Sequence, residues 1–162
     1  MSAPVNEIMP GIWISRWEIA MNEEWLRSHN IQAVFNCSKD IPFHPSVPNK
    51  YRIPVDDNLQ PGEIRNMELW APEIAVKIAR EYNAGHPILI HCHAGMQRST
   101  TACAFFMMAR TGKPLIEVMR HIKRERPIAF EPSPNFIGAL RAFEQQLKSW
   151  RASMPDMVGV PV

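Results

Sequence analysis

His91-Cys92-His93-Ala94-Gly95-Met96-Gln97-Arg98-Ser99 is the stretch around which the rest of this chain is organised. Upstream of it, Pro87-Ile88-Leu89-Ile90 is a short apolar run of the kind a buried strand uses. Downstream, Thr100 to Arg110 is apolar enough for a buried helix. A loop that leaves a strand and enters a helix N-terminus gathers backbone N–H groups about one point, and the helix dipole adds to their field. Cys92 stands at the mouth of that field, where thiol pKa values fall to about 3.5–7.5. Arg98 closes the far side with a planar fork able to hold two oxygens at once. Gly95 suits a loop that needs left-handed backbone angles and close approach of a ligand. The combination implies a thiolate nucleophile in a phosphate cradle.

Each residue has an ordinary reading as well. A cysteine in an apolar stretch is usually an inert small hydrophobe, and an Arg-Ser pair usually a solvated helix start. The strand before, the glycine within, the helix after and an acid upstream favour the chemical reading.

Outward from this stretch, Ile8 to Ser15 reads as a first strand, with Pro10-Gly11 turning into Ile12-Trp13-Ile14. Ile19 to Asn30 reads as one helix, Ile31 to Asn36 as a strand, and the three-proline segment Lys39 to Lys50 as a loop. Tyr51 to Val55 reads as a further strand running into Asp56-Asp57-Asn58. Ile64, Met67, Trp70 or Ala71, Ile74, Ile78 and Tyr82 recur at helical spacing, so Glu63 to Tyr82 is a helix that Pro72 kinks or restarts. Leu115, Val118, Met119 and Ile122 mark another helix. Phe136, Leu140, Phe143 and Leu147 mark the last, after a proline-rich loop from Arg126 to Pro134. Alternating strands and helices imply a single α/β domain over residues 1–152, with a central, largely parallel twisted sheet flanked by helices. Residues 153–162 read as a flexible tail.

The chain has 162 residues and a formal charge of +2, too small to argue for nucleic acid. Three cysteines, Cys37, Cys92 and Cys103, form neither metal-ligand spacing nor an even disulfide set, which favours a reducing compartment. Cys37 and Cys103 read as buried core thiols. Cys37 has a second reading as a resolving thiol, because it ends a strand that could lie near the loop floor. The ten methionines read as core filler, and the six histidines form no ligand set. No run approaches a membrane span. These features imply a soluble cytoplasmic protein, with the nucleus as second compartment, needing no metal or cofactor and no membrane. The oligomeric state and the role of Trp13, Trp17 and Trp25 stay open.

Cleaving a phosphate monoester needs charge neutralisation, a nucleophile and a proton for the leaving oxygen. The loop amides of His93, Ala94, Gly95, Met96 and Gln97, with Arg98, supply the first, and Cys92 the second. Ser99 stands where its hydroxyl can hydrogen-bond the sulfur, or cap the helix. Asp56 and Asp57 are both candidates for the acid, and spacing does not choose between them. His91 reads as a buried hydrogen-bonding residue shaping the loop, and His93 as either pocket rim or surface.

His91-Cys92-x-x-Gly95-x-x-Arg98-Ser99 resembles the signature of cysteine-based protein tyrosine phosphatases, and the short chain resembles their dual-specificity branch. Ile53-Pro54-Val55-Asp56-Asp57 is similar to that branch's Ile-Pro-x-x-Asp segment, whose last residue is the general acid; the resemblance therefore points to Asp57. Ile8 to Ile14 and Ile31 to Ser38 are similar to its first two strands. Arg126-Pro127 and Pro134-Asn135-x-x-Gly138 resemble the segment that backs the phosphate loop, which makes Asn135 a supporting residue, although Ala139-Leu140 stands where the family usually has Phe. The resemblance covers residues 8 to 148. It implies a phosphorylated protein as substrate, at phosphotyrosine and at phosphoserine or phosphothreonine. The loop lacks the lysines of phosphoinositide phosphatases and the Asn and Thr that flank the arginine in RNA 5′-triphosphatases. Those substrates are the second reading, and a phospho-binding pseudophosphatase the third.

Overall fold

Alternation in the apolar strands builds the scaffold. In β3 (Ala33–Asn36) and β5 (Ile88–His91), Ala33, Phe35, Ile88 and Ile90 enter one core, while Val34 and Leu89 enter a second core on the other face. Strands buried on both faces need no polar alternation, and β-branched and aromatic residues fill them. The computed structural model describes residues 2–153.

Five strands form one sheet in the order β1 (Val5–Met9), β2 (Ile12–Ser15), β5, β3 and β4 (Asn49–Arg52). All pairs are parallel except β1 with β2. β5 therefore lies at the centre, and its carboxyl end delivers Cys92 at the edge where parallel α/β sheets place their ligands. Helix α3 (Pro61–Asn83), α4 (Arg98–Thr111), α5 (Leu115–Glu125) and α6 (Ile137–Ser153) complete the fold, with α1 (Trp17–Ala20) and α2 (Glu23–Ser28) beside the second core. Eleven residues of α4, from Ser99 to Ala109, are buried, so the helix behind the loop is the spine of the domain.

The elements correct the sequence reading in five places. Ile8 to Ser15 is not one strand but the body of a hairpin: Gly11 takes φ +86° at the turn, and β1 pairs antiparallel with β2. The expected helix Ile19 to Asn30 is two helices, because Asn22 turns extended and its side chain accepts the Trp25 N–H at 3.0 Å as a cap. β4 lies two residues before Tyr51–Val55, since Pro54 has no N–H for a ladder and the last bond is Ile53 N–H to Asn36 O at 2.9 Å. Pro72 does not restart α3. Met67, Ala71, Ile74 and Ala75 are buried on both sides of it, and that packing carries the helix across the missing bond. Ser153 closes α6, and the rest of the expected tail lies outside the described residues.

Trp13 and Trp25 are half-buried against the second core and meet edge to face at 6.0 Å, with His29 stacked on Trp25 at 4.1 Å. Trp17 stays exposed.

Candidate active site

The loop from Cys92 to Gln97 is shaped by where its carbonyls go. His93 O accepts from Trp17 N–H at 3.2 Å, and Met96 O from Phe130 N–H at 2.8 Å. Ala94 O and Gly95 O accept from the Arg126 guanidinium at 3.3 and 2.7 Å. Every one of these donors comes from outside the loop. A trans peptide points its C=O and the next N–H in opposite directions, so the N–H groups of Ala94, Gly95, Met96 and Gln97 face away from those donors. The Gly95 and Ser99 amides reach the Cys92 sulfur itself.

Gly95 has φ +69°, and a Cβ there would lie 2.7 Å from both Arg126 Nη2 and Ser15 O. No other residue fits without moving the loop or the arginine behind it.

Cys92 is buried at the floor, its Sγ 3.2 Å from Ser99 Oγ. Burial pushes the thiol pKa up. The Ser99 hydroxyl, the Arg98 charge and the two amides outweigh it, leaving the group below its ordinary 9.0. Ser99 is not the helix cap, a position held by Gln97, so its hydroxyl is free for the sulfur. Arg98 opens α4 two residues earlier than the sequence pattern indicates. Its Nη1 donates to Val55 O at 3.0 Å, while its buried Nε has no hydrogen-bond partner among the described residues. A guanidinium held by one prong keeps the rest of its fork for an oxyanion.

His91 is fully buried, and its Nδ1–H donates to Cys92 O at 3.2 Å. Burial above all lowers its pKa to about 4, so it is neutral at physiological pH and serves loop geometry. His93 is exposed.

The two aspartates part company. Asp56 Oδ2 pairs with Lys39 Nζ at 3.1 Å, whereas Asp57 Oδ1 accepts from Asn135 Nδ2 at 2.8 Å. Asn135 also donates its backbone N–H to Gln97 Oε1 at 2.9 Å, and Gln97 Nε2 donates to Glu131 O and Ser133 O at 3.0 Å. Gln97 thus gives its side chain to the segment carrying Asn135, and only its amide to the loop.

Two further side chains organise this region: Arg126, which the sequence placed in the segment behind the loop without showing its burial, and Glu63, to which it gave no role. Arg126 is completely buried; besides the loop carbonyls it binds Ala3 O at 3.0 Å and Asn6 Oδ1 at 2.7 Å. Burial lowers its pKa to about 10, which still leaves a cation behind the loop. Glu63 accepts the Asp56 N–H at 3.0 Å and pairs with Lys39 at 2.9 Å, fixing the start of the aspartate loop. An acid in the first turn of a helix was the one available signal for Glu63.

A strand–loop–helix cradle with a depressed thiol at its floor defines a cysteine-based phosphatase site. The family model for the dual specificity phosphatase catalytic domain matches residues 12–146. Human dual specificity protein phosphatase 1 is 31% identical over 142 residues, covering 87% of this chain and 37% of that protein. Human dual specificity protein phosphatase 2 is 30% identical over 142 residues, 87% of this chain and 44% of that protein. The chain thus spans less than half the length of these relatives. The crystal structure of human DUSP28 superposes with a TM-score of 0.76 at 25% identity, covering 91% of this chain and 97% of that one. A mouse putative dual specificity phosphatase complexed with zinc tungstate gives a TM-score of 0.76 at 26% identity, over 91% and 90% of the two chains. The chain belongs to the dual-specificity phosphatase family of the cysteine-based protein tyrosine phosphatase superfamily.

No helix among the described residues is long and apolar enough to cross a membrane.

Proposed function

We propose that residues 1–152 form the catalytic domain of a cytoplasmic protein phosphatase that hydrolyses phosphotyrosine and phosphoserine or phosphothreonine through a cysteinyl phosphate. The observation that carries this reading is the Cys92 sulfur, faced by the Gly95 and Ser99 amides and the Ser99 hydroxyl, with Arg98 beside it.

In this mechanism the amides of His93 to Gln97 and the Arg98 fork take the equatorial phosphate oxygens. The Cys92 thiolate attacks phosphorus in line, forming the S–P bond as the ester P–O bond breaks. Asp57 gives its proton to the departing oxygen, and then takes one from the water that releases phosphate. Ser99 donates to the sulfur as it leaves. Asn135 holds one oxygen of Asp57, which leaves the other for the proton. Asp57 fits the acid better than Asp56, whose carboxylate is drawn to Lys39.

Protein kept in chelator is to be assayed against phosphotyrosine and phosphothreonine peptides, a triphosphorylated RNA and a phosphoinositide. Turnover of both peptides, lost in Cys92→Ser, is the expected result. Turnover of the RNA or lipid at ten times the peptide rate would overturn the substrate assignment, and full activity of Cys92→Ser the covalent route.

A further inference from the structure

A second concave site lies at the other end of α4 from Cys92. At about 1.5 Å per residue, Met107 and Thr111 at the groove lie about 12–18 Å along that helix from Ser99, which touches Cys92. The groove has a volume of about 340 Å³ and runs between the last turn of α4, one face of α5 and the end of β1. Its floor is apolar: Met107 and Val118 are buried, and half-buried Met9 closes one end. Its walls are cationic, built from exposed Lys113, Arg120 and Arg124, with Glu117 as the one acid lining it.

These cations are not consumed by the fold. The side chains of Lys113 and Arg120 have no ion pair or hydrogen bond among the described residues. Arg124 lies 3.7 Å from Glu125 and is positioned by His121. His121 Nε2–H donates to Ile8 O at 2.8 Å, so its Nδ1 is an acceptor and takes the Arg124 Nη2–H at 3.2 Å. A guanidinium fixed in this way loses less freedom on binding an anion.

We propose that this groove docks an acidic segment of a partner protein, with an aliphatic side chain of that segment seated on the methionine floor. Cations above an apolar trough complement carboxylates that alternate with aliphatic residues, and methionine adapts to irregular apolar shapes. A nucleic acid fits less well, since no Phe, Tyr or Trp lines the groove to stack a base and the one ring there, His121, is held by its bonds to Ile8 O and Arg124. A membrane surface fits less well because the apolar part is recessed beneath the charges rather than presented on a convex face. Occupancy of a groove at the far end of α4 leaves the cradle free, so a docked protein can present its phosphate at the same time.

The test needs no catalysis, which separates it from the enzymatic assignment. A fluorescent, unphosphorylated peptide of alternating glutamate and leucine is titrated onto the full chain, with a glutamate–serine peptide and a single-stranded RNA as comparators. The leucine peptide is expected to bind at least tenfold tighter than either comparator, and to weaken as salt rises. The double variant Arg120→Glu/Arg124→Glu, and separately Lys113→Glu, should each lose at least tenfold in that binding. Both should hydrolyse a small aryl phosphate at the unmodified rate, which also reports intact folding. Equal binding by the variants, or by the glutamate–serine peptide, would overturn the proposal. Tighter binding of the RNA would assign the groove to nucleic acid instead.

Discussion

Asn135 Nδ2 donates to Asp57 Oδ1 at 2.8 Å, joining the segment before α6 to the loop after β4. Because Asn135 N–H is anchored on Gln97 Oε1 at 2.9 Å, the residue bridges the phosphate loop and the candidate acid. A proton donor on an exposed loop needs such a tether, since a misplacement of an ångström costs orders of magnitude in rate.

Asn135→Ala is therefore expected to lower kcat for a phosphothreonine peptide about tenfold, and Asp57→Asn by 10²–10⁴ (the usual range for general acid catalysis). An activated aryl phosphate, whose leaving group needs little protonation, should show much smaller losses in both. Steady-state kinetics on the two substrates decides the matter. If Asp56→Asn shows the leaving-group dependence and Asp57→Asn does not, the acid is misassigned.

In the proposed mechanism the Ser99 hydroxyl, 3.2 Å from Cys92 Sγ, serves the sulfur in two steps. Burial raises the Cys92 pKa and the Ser99 hydroxyl is the largest influence lowering it, so removing that hydroxyl moves the pKa upward. Less thiolate then exists at a given pH. The acidic limb of kcat/KM in Ser99→Ala should shift to higher pH. Breakdown of the cysteinyl phosphate should slow by about tenfold or more, the scale of one charge-assisted hydrogen bond. Rapid-quench measurement of an initial burst checks the second effect, and an unshifted limb would show that the Ser99 hydroxyl does not set the thiol's ionisation.

Glu63 ties the acid loop to α3. Its pairing with Lys39 and its bond from Asp56 N–H hold its pKa at about 2, below the ordinary 4.5. A carboxylate with a depressed folded-state pKa stabilises the native protein above its unfolded value and loses that contribution as pH falls from about 4.5 toward about 2. The unfolding temperature of Glu63→Gln should accordingly lie below that of the unmodified protein at pH 7, with the gap closing across this acid window. A gap of constant size from pH 7 to pH 3 would show that the charge of Glu63 is not what stabilises the loop.

The cradle was legible because its parts are contiguous: strand, cysteine, glycine, arginine and helix follow one another in a single run of sequence. Short apolar runs located β3, β5 and α4, and helical spacing located α3, α5 and α6, for the same local reason. What escaped was non-local or competitive. Asn22 interrupts an otherwise helical pattern as a cap, and propensity treats it as a mild penalty rather than a boundary. Pro54 ends the β4 ladder while Ile53 and Val55 stay buried without it, so burial and pairing part. Arg126 carries no mark of its burial, because arginine is mostly exposed and its partners Ala3, Asn6, Ala94 and Gly95 lie far from it in sequence.

Cys37 and Cys92 are neighbours across the sheet. The parallel register pairs Asn36 with His91, and the Cys37 N–H continues the ladder to His91 O at 2.8 Å, which sets Cys37 beside Cys92. Both belong to the core on one face, so their side chains point the same way. Adjacent strands lie about 4.8 Å apart, inside the span of about 4.4–6.8 Å that a disulfide bridges between Cα atoms. Peroxide should convert the Cys92 thiolate to sulfenic acid with release of hydroxide. The Cys37 thiol then attacks that sulfur, forming the S–S bond and expelling water. Burial and the Cys92 charge raise the Cys37 pKa well above 9.0, but oxidation removes that neighbouring charge while Arg98 still favours the thiolate. Mass spectrometry of peroxide-treated protein is expected to find a Cys37–Cys92 linkage, and dithiothreitol should restore activity. Cys37→Ser should instead accumulate sulfinic acid at Cys92 and lose its recovery. Sulfinic acid forming equally fast in both proteins, with no linkage, would leave Cys37 an ordinary core thiol like Cys103, whose pKa burial raises to about 12.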